Sequence, residues 1–175
     1  MAAKKIIFET IQDLLDYRIT KPQKIKSIHK HKEASFCDRL DGAIRQILED
    51  VGYNIESIKR EFELYEGRID YLCKCKCGKY IVIEVKTSRD SSNSDLCFSF
   101  AIGQLLTYRT LFSKQYNIQK DKIELILLTD EDSIITLGVI DSENLDISML
   151  VVGESGAKYY GKNGETQKGD RKKDV

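Results

Sequence analysis

The sequence predicts an α/β domain, a central mixed sheet of about four or five strands flanked by helices. Three observations carry that expectation. Apolar residues recur at helical spacing across residues 28–51, the stretch Arg68 to Thr87 has strand character, and a second helical pattern at 96–113 is followed by the apolar run Lys122 to Thr129. At 175 residues and 41% hydrophobic content the chain suits one compact domain better than two. The expected organisation is a single domain over 1–152, with its core at about 28–130, and a flexible tail over 153–175.

Residues 5–17 have the spacing of a short helix, and Thr20-Lys21-Pro22 ends the pattern. The lysine- and histidine-rich stretch Lys24 to Lys32 follows, readable as a phosphate-contacting patch or as a solvated helical face. In the next segment Phe36, Leu40, Ile44, Ile47, Leu48 and Val51 fall on one stripe, and Gly52 stands where a helix cap belongs. Tyr53 to Tyr65 alternates like a strand, and Glu66-Gly67 marks a turn. After Thr87 the polar run Ser88 to Asp95 reads as a loop. A helix is expected from about Leu96 to Ser113, then a buried strand at Lys122 to Thr129 and another at Ile134 to Ile140. From Gly153 onward the chain is rich in Gly, Lys and acids, a composition poor in core-forming residues.

Asp70 and Glu84-Val85-Lys86 stand out because charged side chains interrupt the most strand-like part of the chain. Side chains alternate faces along a strand, so the two acids share a face only under one turn length. A three-residue loop Lys76-Cys77-Gly78, with Gly78 in the left-handed position, pairs Cys75 with Lys79 and sets Asp70 opposite Glu84. Ile69, Tyr71, Cys73, Cys75, Ile81, Ile83 and Val85 then form a nearly apolar face. Asp70, Leu72, Lys74, Tyr80, Val82, Glu84 and Lys86 form a mixed one.

Opposed carboxylates repel, and a divalent cation between them removes the conflict. Carboxylate and main-chain oxygens suit Mg²⁺ or Mn²⁺, an ion that polarises phosphate, with Lys86 beside it to orient a nucleophile or offset charge. The site is expected at one edge of the sheet. The plainer alternative is a surface hairpin whose acids are solvated and whose lysine makes a salt bridge.

The order Gly67-Arg68-Ile69-Asp70, then Ile83-Glu84-Val85-Lys86-Thr87, resembles the PD-(D/E)XK nuclease superfamily, with Ile69 where the namesake proline often stands. The run Ala101 to Arg109 is similar to the Gln-x-x-x-Tyr element of its RecB-like branch, which includes CRISPR-associated exonucleases, through Gln104 and Tyr108. The resemblance covers roughly residues 28–130. It implies a restriction-endonuclease-like core, Asp70, Glu84 and the Val85 carbonyl as metal ligands, and Asp70, Glu84 and Lys86 as catalytic residues. Gln104 and Tyr108 lie four apart, on one helical face, able to meet a DNA phosphate or to brace the lysine. A further acid is expected from the first core helix, Glu33 or its competitor Asp41. His29 and His31 are weaker candidates.

Cys73, Cys75 and Cys77 invite a zinc or iron–sulfur reading. Alternate positions of one strand converge poorly on one ion, and the C-terminal region has no cysteine, so neither group is expected. Five cysteines with no secretory signal suit a reducing compartment and a cytoplasmic location. No apolar run approaches membrane-spanning length.

Twenty-eight basic and 28 acidic residues cancel, so an anionic partner must be held by a local patch. The expected partner is DNA, single- or double-stranded, and the expected activity is metal-dependent phosphodiester hydrolysis in recombination, repair or replication. Two alternatives stand beside it. One is a structure-specific endonuclease, for which a homodimer is the natural assembly. The other is a non-catalytic nucleic-acid-binding module that keeps the fold.

Overall fold

The computed structural model describes residues 36–87, 94–131, 134–153, 156–161 and 166–168. The expected helix at 5–17, the basic stretch 24–32, His29, His31, Glu33 and most of the polar loop after Thr87 lie outside the described residues.

Helical residues 36–40 pass through a turn at 41–43 into α1 (Ile44–Asp50), so the expected first helix is present but broken. Its end carries the two bonds of a Schellman cap, Tyr53 N–H to Leu48 O and Gly52 N–H to Glu49 O, each 3.0 Å. Strands β1 (Ile55–Leu64), β2 (Gly67–Cys75) and β3 (Tyr80–Lys86) follow, then α2 (Ser94–Tyr116), β4 (Ile123–Thr129), α3 (Ile134–Ser142), β5 (Ser148–Gly153), β6 (Gly156–Tyr160) and β7 (Thr166–Lys168). All strands join one seven-stranded sheet in chain order. β3, β4 and β5 are mutually parallel neighbours, and the remaining pairs are antiparallel. Parallel neighbours need crossover connections. Helices α2 and α3 supply them.

The expected mixed α/β class holds, and three expectations change. Ile134 to Ile140, expected as a strand, is helical in α3. A short apolar run has no decisive period, and here the parallel pairing of β4 with β5 requires the chain to cross back. Strand β5, where none was expected, and the segment after 153, expected as a tail but adding β6 and β7, bring the strand count to seven. Few aliphatic residues were needed because tyrosines do the packing. Tyr159 meets Tyr53 edge-on, with ring centroids 6.2 Å apart, and its hydroxyl lies 2.9 Å from both Tyr53 Oη and Ser148 Oγ.

The hairpin register agrees with the one expected. Cys75 N–H donates to Lys79 O at 2.8 Å, Gly78 N–H donates to Cys75 O at 2.9 Å, and Gly78 has φ +84°. Tyr71 is paired with Ile83 and Lys74 with Tyr80. One face of the sheet packs Tyr71, Cys73, Ile83, Leu128 and Leu150 against the helical stretch bearing Phe36, Leu40, Ile44 and Leu48. The other packs Leu72, Val82, Leu125 and Leu127 against Phe98, Leu105 and Phe112 of α2. Each fully buried large side chain contributes about 1.5–3 kcal/mol from water exclusion. Among the described residues no helix is long and apolar enough to cross a membrane.

Candidate active site

Beyond Tyr71 and Ile83 the β2–β3 ladder stops, and the two strands part. Asp70 stands at that fork. Its Oδ2 accepts the Val85 backbone N–H at 2.8 Å, taking the place of a strand partner. Charge-assisted hydrogen bonds of this kind fix a carboxylate firmly. The site therefore lies at the end of two interior strands rather than at a sheet edge, the position expected from sequence. It is the carboxyl end of parallel β3, where open α/β sheets bind ligands.

Glu84 is 2% exposed, on the face covered by α2, and its Oε1 takes the Lys86 ammonium at 2.7 Å. Burial of a carboxylate is costly without such pairing. The Lys86 side chain is 18% exposed, so its ammonium is sheltered but reachable. Thr129, fully buried, is the β4 neighbour of Lys86. The plainer alternative keeps its salt bridge, from Lys86 to Glu84, but not its solvated acids, because Glu84 is buried while Asp70 is half-buried.

Tyr108 arrives from α2 and is 9% exposed. Burial raises its pKa, and the charges of Glu84 and Asp70 push in the same direction, which puts the phenol within electrostatic range of both acids. Gln104 Nε2 donates to Tyr108 Oη at 3.4 Å, so the pair does share one helical face. The structure thus brings Asp70, Glu84, Val85, Lys86, Gln104 and Tyr108 together.

Asp41, the competing helix acid, is elsewhere. Its Oδ1 accepts the Tyr71 hydroxyl at 2.7 Å, and its Oδ2 pairs with Arg60, which also reaches Asp38 at 2.9 Å. Tyr71 belongs to the opposite core. Glu33 lies outside the described residues. Among those residues no three His, Cys, Asp or Glu side chains are grouped to hold a metal ion. Asp70, Glu84 and the Val85 carbonyl would offer oxygen donors only, and that chemistry fits Mg²⁺ or Mn²⁺. Cys73 and Cys75 are buried, with burial pushing their thiols up to about 12 and about 11, whereas Cys77 is exposed.

Gly67 is a site residue whose role the sequence did not disclose. Its φ is +113°, and a Cβ placed on it would stand 2.9 Å from Tyr108 Cε1. A glycine three residues before a strand acid was the available signal, but the ring beneath it was not.

No family model and no curated protein matches the chain. Among solved structures it is similar to a repair endonuclease from Pyrococcus abyssi, at 17% identity and a TM-score of 0.44, over 66% of this chain and 45% of that one. It is similar to EndoMS in a complex with double-stranded DNA, at 19% identity and a TM-score of 0.45, over 68% and 44%. A XisH family protein from Nostoc punctiforme matches at 19% identity and a TM-score of 0.44, over 64% and 88%. The alignments span less than half the length of the first two.

Proposed function

We propose that this chain is a Mg²⁺- or Mn²⁺-dependent deoxyribonuclease with a restriction-endonuclease-like core of the RecB-like kind, acting in recombination, repair or replication. The observation that carries the reading is Asp70 docked on Val85 N–H beside buried Glu84 and its Lys86 partner. Asp70, Glu84 and the Val85 carbonyl would hold the cation, with Glu33 as a further ligand. When bound, the ion would supply charge to a phosphate oxygen and make water more acidic.

The chain's own residues do the rest. The Val85 N–H fixes the Asp70 carboxylate, so its orientation is set before any ligand arrives. Lys86, paired with Glu84 yet still reachable, would orient an attacking water or stabilise charge building on the phosphate. Gln104, half-buried, offers an amide to a neighbouring phosphate. Tyr108 would support that contact through its hydroxyl.

Cleavage of labelled single- and double-stranded DNA with Mg²⁺, Mn²⁺ and EDTA tests the reading. Metal-dependent products that vanish in Asp70→Asn and Glu84→Gln support it. Activity that survives either substitution sinks the assignment, and salt-sensitive binding without cutting favours the non-catalytic module.

A further inference from the structure

Four features of the β1–β2 hairpin coincide at the level of Asp70. Glu61 of β1, which the ladder sets opposite Asp70, has φ +51°, a left-handed conformation uncommon for a non-glycine residue inside a strand. The β2–β3 ladder ends one residue away, at Tyr71. Side-chain alternation breaks there too. Tyr71 packs in one core while Ile69, two positions away and nominally on the same face, packs in the other with Phe62. Gly67 then lies against the Tyr108 ring so closely that no β-carbon fits.

A hairpin that leaves its sheet needs something to hold the bend. The geometry points to Tyr108 and Gly67 as a positioning pair: the Tyr108 ring, seated under Gly67, sets the departure angle of β2 and thereby holds the Asp70 carboxylate on Val85 N–H. The Tyr108 ring acts here through Asp70, a separate matter from any contact of its hydroxyl with DNA. Left-handed Gly67 adds to the fit, since an L-residue there meets both backbone strain and the ring. The consequence for metal and cleavage rests on the nuclease reading above, whereas the consequence for Val85 does not.

The test compares Gly67→Ala, Tyr108→Leu and Tyr108→Phe with the wild type by amide hydrogen exchange at Val85. Ile126, central in β4, serves as a folding control. Asp70→Ala marks the fully released Val85 amide. Gly67→Ala and Tyr108→Leu are expected to speed Val85 exchange by roughly tenfold while Ile126 stays protected, and Tyr108→Phe, which keeps the ring, is expected to match the wild type. Mn²⁺ affinity followed by electron paramagnetic resonance should fall roughly tenfold in the first two and hold in the third. In Gly67→Ala, kcat should drop by about a hundredfold with KM for DNA little changed, the mark of misplacement rather than lost binding.

Unchanged Val85 exchange in Gly67→Ala, or a Tyr108→Leu protein indistinguishable from Tyr108→Phe, overturns the positioning role. If Gly67→Ala fails to fold, the two Tyr108 variants carry the same comparison. Wild-type protein that neither binds Mn²⁺ nor cuts DNA overturns the nuclease reading, and Val85 exchange still decides the positioning pair.

Discussion

Asp41→Ala separates a structural acid from a catalytic one. In the folded chain Asp41 accepts the hydroxyl of Tyr71, which is 1% exposed, and pairs with Arg60. A hydrogen bond to a charged acceptor contributes about 1.5–3 kcal/mol. That figure is an upper bound here, because the same hydroxyl can still donate to Cys37 O at 2.9 Å. The Arg60 pair adds little. Its side chains are 31% and 42% exposed, Asp38 retains the guanidinium, and such surface pairs are worth about 0–1 kcal/mol.

The expected loss is therefore about 1.5–2 kcal/mol, or roughly 3–8 °C in Tm for a domain of this size. Urea unfolding should show a lower midpoint at unchanged slope, and DNA cleavage at a temperature where the variant is folded should match the wild type. Cleavage lost by more than about tenfold with the urea midpoint intact would refute the assignment and return Asp41 to the site.

Other outcomes follow from the same geometry. Gly78→Ala meets no atom within 4 Å, so its cost should be only the left-handed backbone, about 1–2 kcal/mol in thermal unfolding, with the hairpin register kept. Burial holds the Cys73 thiol up to about 12 against an ordinary 9.0. Its contribution is thus fully present below pH 9 and is lost as pH rises from 9 toward 12, and Cys73→Ala should flatten that alkaline decline in urea titrations. Iodoacetamide at pH 8 should label exposed Cys77 first and reach Cys73 only on unfolding, a sequence that mass spectrometry can follow.

Sequence disclosed the parts of this molecule that local chemistry controls. The Lys76-Cys77-Gly78 turn dictated the hairpin register, and through it the shared neighbourhood of Asp70 and Glu84. The helical stripe from Phe36 to Val51 and its Gly52 end were likewise visible. What escaped depends on partners far away in the chain. Ile134 to Ile140 is apolar and β-branched enough for a strand, and only parallel pairing of β5 beside β4 makes it a crossover helix. Tyr159 and Tyr160 sit in a polar stretch that resembles a tail, yet they pair with Leu150 and Met149 as β6.

At the site the limitation was similar. Alternation placed Ile69 with Tyr71, but the hairpin bends at Asp70 and sends Ile69 to the other core. The choice between Glu33 and Asp41 turned on which face of the sheet a helix residue meets. Asp41 is bonded to Tyr71, which packs in the core on the other face from α2, and to Arg60, contacts that the helix pattern did not disclose.

Asp70 and Glu84 are proposed to hold a divalent cation between them against a DNA phosphate. A crystal grown with a short DNA and soaked in Mn²⁺ tests it most directly, through the anomalous signal of the metal. The expected result is Mn²⁺ ligated by both carboxylates and the Val85 carbonyl, with a phosphate oxygen among its other ligands. A crystal that binds DNA but shows no Mn²⁺ at these residues, with Lys86 still on Glu84, would contradict it.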